Sequence, residues 1–168
     1  MPAGATYEAI ATTTLGSTAN SFTFSSIPAT YTDLKLVVVG TVNDATGAAA
    51  ILQFNSDTTS NYSFVRLTAD GSTLSTGRGG TTYIAAGNWY TFQSGQPSMF
   101  DMDIFSYAGS TFKTTLHSDT NDKNGSGYNE KQVSLWRSTA AINTILFSVQ
   151  SYLFNIGTTA TLYGIKNA

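Results

Sequence analysis

Apolar side chains in this chain recur at every second residue, in short runs broken by Gly, Asn, Asp and Ser. Leu34, Leu36 and Val38 share one face of the stretch 33–41, with Lys35, Val37 and Val39 on the other. The same rhythm returns as Phe22/Phe24, Leu52/Phe54, Phe100/Met102/Ile104 and Ile145/Phe147/Val149. A period of two sends alternate side chains to opposite sides of an extended strand, so each run specifies a sheet with one buried face.

Turn chemistry separates the runs: 25–28, 43–47, 70–72, 77–80, 108–110 and 121–127 are rich in Ser, Asn, Asp and Gly. Asn, Asp and Gly accept positive φ at little cost and close chain reversals. The expected strands are 6–15, 20–25, 33–42, 49–55, 62–69, 81–86, 89–93, 99–107, 112–118, 130–137, 144–150 and 159–166. Nothing reads as a long helix; 138–143 has room for one turn, and the Ser/Thr/Gly-rich stretch 70–82 reads as a long exposed loop. Many short strands at regular spacing, without an internal repeat, specify an all-β fold: one antiparallel β-sandwich domain over residues 1–168, jelly-roll-like in type. A single domain of 168 residues buries enough surface to fold without staples.

Composition narrows the function classes. Only 11% of residues are charged, the net charge is −2, and no cluster of Lys or Arg offers a footprint for nucleic acid. With no cysteine and one histidine, disulfides, thiolate metal sites and thiol catalysis are all absent. The start, Met1-Pro2-Ala3-Gly4-Ala5, lacks the features of a signal peptide, and Leu36–Val39 is far short of a membrane span. The expectation is a soluble protein made in a cytoplasm, with no membrane or nucleic-acid partner.

No constellation stands out as catalytic. His117 lies two residues before Asp119 with no recognisable nucleophile, and reads as a polar residue at a strand edge. Asp101 and Asp103 share a strand face, ~6.6–7 Å apart by strand rise. With Phe100, Met102 and Ile104 on the other face, the two aspartates are the exposed half of an amphipathic strand. The segment 119–125 is rich in oxygen ligands, but a calcium loop begun at Asp119 puts Lys123 at a ligand position and Asn124 where glycine belongs. It reads as a solvated hairpin, and 55–61 takes the same discount. Gly77-Arg78-Gly79-Gly80 matches no phosphate loop and reads as a flexible turn. No catalytic residue, cofactor or metal is expected. The aromatic groups Trp89, Tyr90 and Phe92, and Trp136 with Arg137, serve either as core or subunit interface, or as sugar-stacking surface.

Several strings together resemble a family. They are Tyr7-Glu8-Ala9-Ile10-Ala11, Phe22-Thr23-Phe24-Ser25-Ser26-Ile27-Pro28, Tyr31-Thr32-Asp33-Leu34, and Phe54-Asn55-Ser56-Asp57 with Ser60-Asn61-Tyr62-Ser63. Leu135-Trp136, Thr139-Ala140-Ala141-Ile142 and the ending Ala160-Thr161-Leu162-Tyr163-Gly164-Ile165-Lys166 complete the set. This chain resembles small structural proteins of tailed bacteriophages, including cyanophages. The resemblance implies a non-enzymatic virion protein assembled in the host cytoplasm. The favoured role is a capsid cement (decoration) protein, a homotrimer that clamps the major capsid protein and stabilises the shell. The alternative is a tail or fibre adhesin that binds host glycan, with Trp89, Tyr90, Trp136 and Arg137 as candidate contacts.

Overall fold

Alternation is realised almost run for run as strands. In the computed structural model, residues 6–44, 47–86, 91–122 and 124–166 are described. They contain twelve strands: β1 (Tyr7–Thr14), β2 (Ser21–Phe24), β3 (Asp33–Gly40), β4 (Ala50–Phe54), β5 (Tyr62–Ala69) and β6 (Leu74–Thr81) form the first half. The second half is β7 (Ile84–Ala86), β8 (Ser98–Ile104), β9 (Lys113–Asp122), β10 (Gly127–Trp136), β11 (Ile145–Val149) and β12 (Thr159–Ile165). No helix among the described residues is long and apolar enough to cross a membrane.

The strands form two antiparallel sheets, one of eight in the order β1-β12-β3-β8-β9-β10-β5-β6 and one of four in the order β2-β11-β4-β7. The chain changes sheet repeatedly (β2 to β3, β3 to β4, β4 to β5), so it wraps around the core rather than finishing one layer first. The result is the expected all-β antiparallel sandwich, with the β9–β10 hairpin lying inside the larger sheet between β8 and β5.

Period two decides which face is inside. Leu34, Leu36 and Val38 of β3 and Phe100, Met102 and Ile104 of β8 are buried against Phe22, Leu52, Phe54, Ile145 and Phe147 of the smaller sheet. The Phe100 and Phe147 rings meet across the layers with centroids 5.0 Å apart. The core is close-packed to the backbone in places. A Cβ on Gly164 would lie 2.4 Å from the Tyr31 ring, so the aromatic side chain needs the missing methyl.

Four local expectations change. The stretch 70–82 is not a long loop: β6 runs through Gly77–Gly80 and pairs along its whole length with β5 as the edge of the larger sheet. Long-range pairing overrides the turn chemistry of its glycines, and only Asp70-Gly71-Ser72-Thr73 remains a turn. The segment 138–143 forms no helix. Residues 119–122 belong to β9, and β10 resumes at Gly127, with Gly125 at φ 90° and its N–H on the Asp122 carboxylate at 2.7 Å. The expected strand 89–93 falls partly outside the described residues, and Phe92 makes only an isolated bridge to Ala48.

Candidate functional site

Two features of the larger sheet have functional content, one on each face. On the outer face, direct cross-strand neighbours form a row: Arg78 of β6, Val65 of β5, Val133 of β10, Leu116 of β9, Asp103 of β8 and Lys35 of β3. Its apolar half is open, with Val65 64% and Val133 48% exposed; Leu67, Leu74 and Met99 are also exposed on this face. Half-open apolar positions on one sheet face form the kind of patch that monomeric surfaces keep small.

The charged half of the row is self-contained. The Lys35 ammonium lies 3.0 Å from both the Asp101 and the Asp103 carboxylates. Burial pulls its pKa down, but hydrogen bonds to the two carboxylates outweigh this and the net shift is up. Asp101 and Asp103 therefore are the outward half of an amphipathic strand, as the sequence indicates, and they serve as a clamp on one lysine.

The inner face carries an unexpected group. His117 and Asp119 are alternate residues of β9, and Glu130 and Gln132 are alternate residues of β10. Register puts Glu130 directly opposite Asp119 and Gln132 opposite His117, so the four make a square pointing into the protein. All four are buried, with His117 only 1% exposed. Ligand atoms of His117, Asp119 and Glu130 all lie within 4.8 Å of one another. The Thr68 hydroxyl donates to Glu130 Oε2 at 2.5 Å. Gln132 Nε2 donates to the Ala85 carbonyl and the Ser134 hydroxyl, tying the group to β7 where the smaller sheet ends.

This environment perturbs each group in the direction burial dictates. Desolvation lowers His117 to about 3. Desolvation, reinforced by the charge of Glu130, raises Asp119 to about 7 against the opposing Tyr128 and Thr91 hydroxyls and Arg66. Glu130 is raised by desolvation, with the Thr68 hydrogen bond and Arg66 pulling the other way. Tyr128 is raised as well, by desolvation first and then by the Asp119 charge.

No family model matches this chain, and no curated protein or solved structure matches it. Its own geometry must carry the reading.

The residues singled out in the sequence separate sharply. Trp136 is not a surface contact: it is 2% exposed, packed against Phe54 and Tyr62, and its indole N–H donates to Asp57 Oδ2 at 2.7 Å. Its position on β10 is even-numbered and inward, like Glu130 and Gln132, which is the physical reason for the correction. Arg137, one residue on, is half-buried and its guanidinium is tied to the Ser60 carbonyl. Trp89 and Tyr90 lie outside the described residues. His117 is not at a strand edge but in the middle of β9, facing the core beside the Phe100 ring at 5.2 Å.

The segment 55–61 is a structural staple. Asn55 and Ser56 adopt left-handed conformations (φ 51° and 57°), which turns the chain back beneath β10. Asp57 then accepts from the Thr59 backbone and hydroxyl, from Asn61 Nδ2 and from the Trp136 indole. Burial opposes its ionisation, but these donors outweigh it and hold the carboxyl well below the ordinary range. The strings 54–57, 60–63 and 135–136, quoted above for the phage resemblance, thus meet at one point of the fold.

Sequence reasoning missed Glu130 and Gln132, whose strand carries no metal or catalytic spacing. The available signal was the inward parity of β10. Glu130, Gln132 and Ser134 alternate in step with Trp136, so a buried Trp136 implies a buried Glu130.

Proposed function

We propose that this chain is a non-enzymatic structural protein of a phage virion, acting as a capsid cement protein. The exposed apolar half of the outer face, centred on Val65, Val133 and Leu67, is the observation that supports it. A cement protein needs a broad, shape-complementary contact rather than a cleft, and interface centres are depleted of charge. The outer face supplies such an apolar surface, with Arg78 directly opposite Val65 and Lys131 directly opposite Leu67. The titratable groups of the inner face are sealed from bulk solvent, which disfavours catalysis by them. In this reading the chain binds the expanded major capsid shell, as a homotrimer, and stabilises it by mass action.

The adhesin alternative loses Trp136 and most of Arg137 as sugar contacts, because both are engaged internally. Particles with and without this protein, heated in parallel, test the proposal. Earlier genome release from particles lacking it supports cement function; identical release curves refute it. Immunogold label confined to tail tips would refute the head location and return attention to the adhesin.

A further inference from the structure

The square of His117, Asp119, Glu130 and Gln132 is hard to explain as a hydrogen-bonded network. Both ring nitrogens of His117, Oε1 of Glu130 and Oε1 of Gln132 are buried without a hydrogen bond, while the Asp119 carboxylate has the Tyr128 and Thr91 hydroxyls beside it. Buried polar groups are otherwise paired, because one left bare loses its hydration without a replacement. Here several converge on a shared space instead of on each other. That is how metal ligands behave: atoms bonded to one ion at ~2.0–2.2 Å stand roughly 3.3 Å apart, wider than a hydrogen bond.

We propose that His117, Asp119 and Glu130 bind a divalent transition ion of the zinc type, which ties β9 to β10 within the larger sheet. The ligand atoms already lie within 4.8 Å of one another. The donor set indicates the class of ion. One imidazole with two carboxylates suits a borderline ion, whereas calcium and magnesium prefer oxygen alone. The three ligands, a neutral imidazole and two carboxylates, carry −2 against the ion's +2, with the Arg66 charge acting on both carboxylates from the neighbouring strand. Gln132 Oε1 or a water completes four-coordination.

Surrounding contacts are those a metal ligand requires. Thr68 holds Oε2 of Glu130 and leaves Oε1 free to bind, the outer-shell arrangement that orients a ligating carboxylate. Gln132 is fixed through its Nε2 at Ala85 and Ser134, which leaves its oxygen free. The location has a structural logic. The ion would sit where the four-stranded sheet runs out at β7, bridging β9 and β10 directly and β5 through Thr68. Metal chemistry was not expected from the sequence because its motifs are scored by local spacing, and Glu130 enters the group only through strand pairing.

The test uses the full chain, purified from zinc-supplemented cells and assayed for bound metal by mass spectrometry. About one zinc per chain is expected. After chelation, zinc at a hundredfold excess over its Kd should raise the melting temperature by about 5–10 °C, while calcium and magnesium should not. His117→Gln and Glu130→Gln should abolish the shift. If either variant does not fold, cobalt added to the chelated wild-type chain gives an independent readout. Four-coordinate d–d bands without a thiolate band support the site; a spectrum of hydrated cobalt overturns it. A chain without stoichiometric zinc, or a zinc shift that persists in folded His117→Gln, also overturns it.

Discussion

Removing the indole N–H from Trp136, by Trp136→Phe, isolates the staple between β10 and the β4–β5 connection. The lost bond is 2.7 Å long and its acceptor is an ionised carboxylate. Such bonds are worth about 1.5–3 kcal/mol, and trimming the buried indole to a phenyl adds about 1 kcal/mol for lost packing. Asp57 keeps its three other donors and is only half-buried, so it is not stranded. The expected total is about 3 kcal/mol, or roughly 6–12 °C in melting temperature for a chain of this size. Asp57→Asn should cost a similar ~3 kcal/mol, because its amide nitrogen would face donors in either orientation. In the double variant the bond is already gone, so the two effects should fall short of additivity by about 1.5 kcal/mol. Urea unfolding followed by far-ultraviolet circular dichroism measures all three. Strict additivity, or single variants within about 0.5 kcal/mol of wild type, would refute the staple. The acid limb gives a second check. Asp57 titrates lower in the folded than in the unfolded chain, so its contribution is complete above the unfolded value near ~3.9 and is lost as pH falls through the folded value. Asp57→Asn should flatten that part of the stability profile.

Other outcomes follow from single contacts. Gly164→Ala should destabilise by about 1–3 kcal/mol, since the new methyl collides with the Tyr31 ring and displaces its hydrogen bond to Glu8; an unchanged melting temperature would show that the ring yields freely. Lys35→Met should cost no more than about 1 kcal/mol and the loss should shrink in high salt, as a partly exposed ion pair requires. Val133→Lys should leave stability within about 0.5 kcal/mol, because the side chain faces solvent, yet weaken binding to expanded capsid shells; undiminished binding would move the contact off this face.

Legibility in the sequence tracked the range of the interaction. The runs at Leu34/Leu36/Val38 and Phe100/Met102/Ile104 each specify their own strand and buried face, because parity along an extended chain is a local property. The glycines of β6 misled for the opposite reason: turn chemistry is local, whereas β6 exists through eight residue pairs with β5. Parity also carried more than first appears, since it makes Glu130 and Gln132 inward once Trp136 is.

Sequence alone thus determined an all-β chain, its strand periods, and which side chains share a face. Only the tertiary structure decided which faces meet. Trp136 finds Asp57 across 79 residues, and Glu130 is set against Asp119 by antiparallel register. Strand pairing is chosen by burial over the whole domain. A one-residue slip would turn every one of these side chains outward, so no local pattern encodes the partner.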